Sequence, residues 1–265
     1  MDFEELKLRQ SAMWGNGTYQ NITETVAGVH ALVIERLQPK PGIRWLDLAC
    51  GTGAVAELAA KSGASVTGID LAPTLIETAR QRAHQQALKI DYRVGDCEQL
   101  DLDDAAYSRL SSTFGIMFAP DHVATAAELA RIVAPGGMIA LANWTPGGGV
   151  GQMFKMMRPF LPPPVPGAGN PFEWGREEVV RKLLGDAFDL DIEEFISAVN
   201  VPTGEDYWQL FLSSYGPTKT AAEALDEDRR GQFHQTWVEF FDTNYRSDNG
   251  VSHTREYLLV VGTRR

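Results

Sequence analysis

Apolar residues recur at helical spacing over residues 20–38, where Val26, Val29, Leu32, Val33 and Leu37 form one stripe. Residues 3–12 also read as helix. Between them, Met13-Trp-Gly-Asn-Gly-Thr-Tyr19 is a loop with two aromatics and two glycines. Pro39-Lys-Pro41-Gly42 ends the second helix. From residue 43 onward short apolar runs alternate with helical stretches. The pattern predicts strands at 43–48, 65–69, 89–94, 110–116 and 138–144, and helices at 52–62, 73–87 and 121–133. Repeated strand–helix order of this kind predicts a parallel, doubly wound α/β sheet.

Beyond Trp144 the composition shifts. Pro146-Gly-Gly-Gly149 opens a stretch rich in Gly, Pro, Met and Phe, including Phe160-Leu-Pro-Pro-Pro-Val-Pro-Gly167, too proline-dense for a core helix. Helix is expected over 176–184, strand over 188–200, and helix again over 204–214, 218–226 and 229–244. Tyr257-Leu-Leu-Val-Val-Gly262 reads as a closing strand.

The first two strands carry the chemistry. The first runs through Trp45-Leu-Asp-Leu-Ala-Cys-Gly-Thr-Gly53, and the second ends in Val66-Thr-Gly-Ile-Asp70. Glycines let backbone approach a ligand, a helix N-terminus offers unpaired N–H groups, and a carboxylate ending the second strand suits two ribose hydroxyls. The loop alone fits two ligands. It approximates a dinucleotide fingerprint with Ala49 for its first glycine and Ala56 for its last. It also suits the amino-acid end of S-adenosylmethionine, whose ammonium would call for an acid such as Asp47. That carboxylate could equally cap loop N–H groups, and burying it within Trp-Leu-Asp-Leu is costly without such a task. Ala49 suits the first turn position if its φ is negative.

The formal charge of −11 and pI near 4.9 disfavour nucleic acid and anionic membranes as partners. No apolar run is long enough to span a bilayer, and the acidic N-terminus does not read as a signal peptide. Two cysteines, Cys50 and Cys97, without metal-ligand spacing point to packing roles and a cytoplasmic location. Asn16-Gly-Thr18 and Asn21-Ile-Thr23 match the glycosylation pattern by chance on that reading.

Four motifs in order make the resemblance specific: Leu46-Asp-Leu-Ala-Cys-Gly-Thr-Gly53, Val66-Thr-Gly-Ile-Asp-Leu-Ala-Pro73, Arg93-Val-Gly-Asp-Cys-Glu98 and Glu128-Leu-Ala-Arg-Ile-Val-Ala-Pro-Gly-Gly137. The chain resembles class I S-adenosylmethionine-dependent methyltransferases, within them the type 11 group related to ubiquinone/menaquinone C-methyltransferases. The resemblance covers residues 14–144 and is loose beyond. It implies a mostly parallel seven-stranded Rossmann-like sheet with S-adenosyl-L-methionine as cofactor and S-adenosyl-L-homocysteine as product. With the composition shift and the predicted elements, the chain is expected to divide into a helical lid at 1–42, a cofactor-binding core at 43–145, a substrate cover at 146–255 holding one core strand near 188–200, and a final core strand at 256–265. Residues 146–187 and 202–250 are expected over the sheet's carboxyl edge.

Carried over by position, Ala49, Gly51 and Gly53 would pass under the methionine moiety with Asp47 at its ammonium. Asp70 would hold the ribose, and Leu71 would line adenine. Asp96 would accept from the adenine amino group beside the Cys97 N–H, Thr113 and Phe114 would lie near the sulfonium, and Tyr19 would close over the methionine end. One departure stands out. The group usually has Phe-Asp-x-Val entering strand four, whereas this chain has Tyr107-Ser-Arg-Leu110, so a local structural adjustment with retained binding is expected.

The function expected is in-line methyl transfer to an O, C or N atom of a small, largely apolar acceptor. The alternatives are a non-catalytic cofactor-binding regulator or partner protein, and an NAD-dependent oxidoreductase. An oxygen or carbon acceptor would want a base. His122, following strand four, is the candidate, with His30, His234 and His253 behind it; His84 reads as exposed and His234 as a core residue. No metal constellation is apparent, and either a monomer or a homodimer fits.

Overall fold

The computed structural model describes residues 2–265. Three helices open the chain: α1 (Phe3–Trp14), α2 (Gln20–Glu24) and α3 (Ala27–Leu37). Asp2 caps α1, its carboxylate accepting the Glu5 N–H at 2.8 Å. The helix expected over 20–38 is broken in two. The Thr23 and Thr25 hydroxyls bond back to the Tyr19 and Ile22 carbonyls, and the chain departs from helical geometry at Val26.

Five strands then alternate with helices: β1 (Arg44–Leu48), α4 (Ala54–Lys61), β2 (Ser65–Asp70), α5 (Pro73–Gln85), β3 (Ile90–Val94), β4 (Tyr107–Thr113), α6 (His122–Ile132) and β5 (Val133–Trp144). The second half supplies α7 (Gly149–Met157), α8 (Glu177–Leu184), β6 (Phe188–Val201), α9 (Gly204–Ser214), α10 (Gly216–Ala224), α11 (Glu227–Asn244), the two-residue β7 (Arg246–Ser247) and β8 (Gly250–Arg264). The principal sheet order is β3-β2-β1-β4-β5-β8-β6, with β7 paired to β8. β1 to β5 are parallel and β8 runs antiparallel to both neighbours. Chain order reverses between β1 and β4. Right-handed crossovers therefore put α4 and α5 on one face and α6 on the other. α3 joins α4, and α8 joins α6.

Three strand boundaries moved, and β4 covers Tyr107–Thr113 in place of the expected 110–116. β5 begins at Val133, not 138, because a register irregularity between Tyr107 and Arg109 absorbs Pro135-Gly-Gly137. At the same place the expected adjustment in Tyr107-Ser-Arg-Leu110 is visible. Tyr107 donates to Thr67 Oγ1 at 3.0 Å, and Arg109 Nε donates to the last carbonyl of α3, at Leu37, at 2.9 Å. β8 starts at Gly250, well before the expected 257, because β6 extends alongside it to Val201. α8 packs on α6 and β6, so this part of the expected cover belongs to the sheet's own helical layer.

Candidate functional site

The sheet's switch point opens a crevice at the carboxyl ends of β1, β2 and β4, the usual ligand position in open α/β sheets. A cavity of about 1340 Å³, its mouth included, runs from there beneath α1, α7 and α9.

At one end β1 runs out into the turn before α4. Ala49 and Gly51 line the cavity, both in left-handed backbone with φ of 53° and 55°. Ala49 thus does not meet the condition of a negative φ. It accepts strain of about 1–2 kcal/mol, and Gly115 makes room for it: a Cβ there would come within 2.4 Å of the Ala49 Cβ. Asp70 ends β2, with its carboxylate accepting the Gly51 N–H at 2.8 Å and the Ala72 N–H at 2.9 Å. Burial pushes its carboxyl above the ordinary range, and those donors oppose the shift. Leu71, Asp96 and Cys97 continue the same wall. Burial, then the nearby Asp96 and Glu98, push the Cys97 thiol up to about 12, which leaves it unreactive at neutral pH.

Lys7, on α1, was not anticipated from sequence. Its ammonium bridges Asp96 and Glu98, each at 2.6 Å. Burial would lower its pKa, but the two carboxylates hold it above its ordinary range. Gln10 and Ser11 of the same helix donate to the Phe118 and Leu71 carbonyls, so α1 lies pinned across this end.

Two of the expected contacts lie off the cavity. Asp47 is almost fully buried and does not reach the lining. It accepts from Ser111 Oγ at 2.7 Å and from the Ala56 N–H at 3.1 Å, fastening β1 to β4 and α4. Burial pushes its carboxyl up to about 7, against the pull of both donors. Gly53 is likewise packed away. It begins α4 with φ 85°, and a Cβ there would collide with the Tyr92 hydroxyl at 2.0 Å.

Past Gly51 the walls turn aromatic. Tyr19 lines the cavity and stacks at 6.4 Å on Tyr215, and Trp14 meets Tyr215 edge-on at 5.7 Å. Thr113 and Phe114 lie at the end of β4. Phe114 has φ 59°, a strained conformation for a bulky residue, and its ring is parallel to Trp144 at 3.5 Å. Val150 and Met153 of α7 and Phe211 of α9 complete an apolar chamber.

The histidines separate. His122 does not line the cavity: its ring packs against Trp174 at 5.8 Å and lies where a Gly169 side chain would go. His234 is 41% exposed, pairs with Glu205 and stacks on Trp208, so it is not the core residue expected. His30 and His253 do line the cavity, and burial lowers them to about 4 and about 3, leaving both neutral at pH 7. Arg255 lines it too and was missed. Its signal was present: alternation puts Val251, His253, Arg255, Tyr257 and Leu259 on the buried face of β8.

The strand order, the switch-point cleft and the carboxylate ending β2 define a nucleoside-cofactor enzyme of the Rossmann-like type. The Methyltransferase domain family matches residues 46–141. The uncharacterized protein Rv1405c of Mycobacterium tuberculosis is 34% identical over 99% of this chain and 96% of its own. The ubiquinone biosynthesis O-methyltransferase of Maricaulis maris is 41% identical over 40% of this chain and 42% of its own. Among solved structures, a putative methyltransferase from Bacillus halodurans superposes with a TM-score of 0.64 at 17% identity, covering 88% of this chain and 97% of that one. The chain belongs to one family with Rv1405c, and its residues 46–141 carry a methyltransferase domain. Solved structures of the same fold, at 17% and 16% identity with TM-scores of 0.57 and 0.54, are a phosphoethanolamine N-methyltransferase of Haemonchus contortus in complex with S-adenosyl-L-methionine and a geranyl diphosphate C-methyltransferase of Streptomyces coelicolor in complex with S-adenosyl-L-homocysteine.

The residues present suit S-adenosyl-L-methionine. Asp70 and Asp96 offer acceptors to hydroxyl and amino groups, Leu71 and Cys97 offer apolar flanks for a planar base, and the turn at Gly51 carries no side chain toward the ligand. Among the described residues no cluster of His, Cys, Asp and Glu could hold a metal ion, and no helix is long and apolar enough to cross a membrane.

Proposed function

We propose that this enzyme methylates a small, largely apolar molecule held in the aromatic half of the cleft. The observation that carries this reading is the continuity of one cavity from an acidic end at Asp70 and Asp96 to an apolar end at Phe114, Trp144, Val150 and Met153. Bound S-adenosylmethionine supplies an electrophilic methyl on a sulfonium. Asp70 takes the ribose hydroxyls, Asp96 the adenine amino group with the Cys97 N–H beside the ring, and Leu71 one adenine face. Ala49 and Gly51 pass under the methionine end, with Tyr19 over it. Thr113 and Phe114 border the sulfonium, where aromatic faces suit a desolvated cation. Asp47 and Gly53 act indirectly, holding β1, β4 and the start of α4 so that the turn keeps its shape.

Residues 1–42 serve as a lid, pinned by Lys7 and Gln10. α7 and residues 202–250 form the cover. Together they exclude water and align the acceptor with the methyl–sulfur axis, and orientation of this kind can lower a barrier by roughly 7–11 kcal/mol. His30 and His253 are the neutral rings available to an acceptor proton; His122 does not line the cavity.

Labelled S-adenosylmethionine offered with a panel of apolar hydroxylated, aminated and unsaturated small molecules tests this reading. Label should pass to members of the panel and not to protein or nucleic acid. Transfer confined to macromolecules would overturn it.

A further inference from the structure

The apolar end of the cleft holds a buried cation that no acid neutralises. Arg255 is only 4% exposed and lines the cavity. Its hydrogen bonds all run to neutral oxygens. Nε donates to the Ser197 carbonyl at 3.3 Å, Nη1 to Thr25 Oγ1 at 3.0 Å, and Nη2 to the Thr25 carbonyl at 2.6 Å and to Ser197 Oγ at 3.0 Å. Among the described residues no carboxylate stands within ion-pair distance of it. Lys7, by contrast, is paired with Asp96 and Glu98, and Glu57 with Arg82. A guanidinium has five N–H groups, so one on Nη1 is left over. An unpaired buried charge is costly, and a counter-ion is its usual remedy.

The surroundings say where that counter-ion would belong. The guanidinium lies 5.6 Å from the centre of the Trp144 ring. Tyr257, on the same face of β8, meets Phe114 edge-on at 5.7 Å. Arg255 therefore stands next to the aromatic pair at the ends of β4 and β5. His253, two residues earlier on that face, bonds Tyr207 Oη through Nδ1 at 2.9 Å, while its Nε2 lies against Gly149 without a hydrogen-bond partner of its own. A single spare donor beside an aromatic face suits a monoanion better than a phosphate, which asks for several donors.

We propose that Arg255 anchors a carboxylate on the methyl acceptor, whose apolar body lies along Phe114, Trp144, Val150 and Met153. The acceptor is thus an apolar acid, an assignment that rests on reading this chamber as the acceptor site. A second source of the same anion is the carboxylate of the cofactor's methionine end, and the test separates the two.

Calorimetry on the full chain saturated with S-adenosylhomocysteine compares octanoate with octanamide, and separately measures S-adenosylhomocysteine on the wild type, Arg255→Met and Arg255→Lys. The acid should bind the wild type at least tenfold more tightly than the amide. Arg255→Met should bring the two within twofold, Arg255→Lys should keep at least a threefold preference, and both variants should bind S-adenosylhomocysteine within threefold of wild type. Equal binding of acid and amide by the wild type overturns the proposal and leaves Arg255 as a strap between β8 and the turn before α3; that comparison needs no variant to fold. A tenfold loss of S-adenosylhomocysteine affinity in Arg255→Met also overturns it, by giving the anion to the cofactor. A wild type that binds no S-adenosylhomocysteine fails at the earlier step, the reading of the cleft itself.

Discussion

The two ends of the cleft are built by different rules. The adenosine end is acidic and comes mainly from one stretch of chain, residues 48–97, where strand ends and tight turns place Asp70, Asp96 and Gly51 through backbone geometry. The chamber end is aromatic and cationic, and it gathers residues from almost the whole chain: Tyr19, Phe114, Trp144, Met153, Tyr215 and Arg255. The first end is shaped by local conformation, so it is cheap to keep unchanged. The second is shaped by packing between distant elements, where an apolar wall of about the right volume suffices and exchange is tolerated.

If the ends are separable, damage to one should spare the other. The largest effect is expected from Trp237→Ala on α11. Trp237 is fully buried and packs on Phe211 at 5.0 Å and on Tyr207 at 5.9 Å. Losing it should cost about 3–5 kcal/mol and lower the melting temperature by roughly 10 °C. At a temperature where the variant is folded, S-adenosylhomocysteine should still bind within threefold of wild type by calorimetry. A parallel collapse of cofactor binding would show that the ends are one unit.

The next effect concerns pH. Asp47 is raised from 3.8 to about 7 in the folded protein, so the native state holds its proton more tightly than the unfolded chain does. Its contribution is full below about pH 4 and lost as pH rises through 7, on the order of a few kcal/mol. His30 and His253, lowered to about 4 and about 3, act in the opposite sense over much of this range, and Asp70 acts in the same sense as Asp47. The denaturation midpoint at pH 7, relative to that at pH 4, should therefore be higher in Asp47→Asn than in the wild type. An unchanged slope would place the Asp47 carboxylate in a more polar setting than this one.

Asp70→Ala sharpens the contrast from the other side. If Asp70 holds the ribose hydroxyls as proposed, its loss should cost about 2–3 kcal/mol, or ~30–150-fold in S-adenosylhomocysteine affinity. Octanoate binding should change less than threefold. The smallest effect should come from the strained turn. Gly115→Ala drives a methyl into Ala49 and should cost about 1–3 kcal/mol. Ala49→Gly alone should be nearly neutral, because relief of left-handed strain offsets the added freedom of the unfolded chain. Combined, Ala49→Gly should recover about 1 kcal/mol of the Gly115→Ala loss, read from urea midpoints.

Much of this was legible before any coordinates. Alternation of strand and helix, the glycine turn and Asp70 sufficed for the α/β class and for one wall of the cleft, because backbone sterics and strand order act over a few residues. Ala49, Gly51, Leu71, Asp96 and Cys97 all fall on the cavity wall, as do Tyr19, Thr113 and Phe114. Asp47 and Gly53 share the same motif, yet they face inward, since neighbouring strand and turn positions point to opposite sides.

What sequence by itself determined, then, is whatever a few consecutive residues decide: period, turn chemistry, and the carboxylate at a strand end. The tertiary structure alone decided that Lys7 reaches Asp96 from α1, that His122 is walled off by Trp174, and that Arg255 meets the Thr25 carbonyl across some 230 residues of chain. Those contacts depend on where β8 and α1 dock, and docking is set by the summed burial of many side chains, which no local pattern encodes.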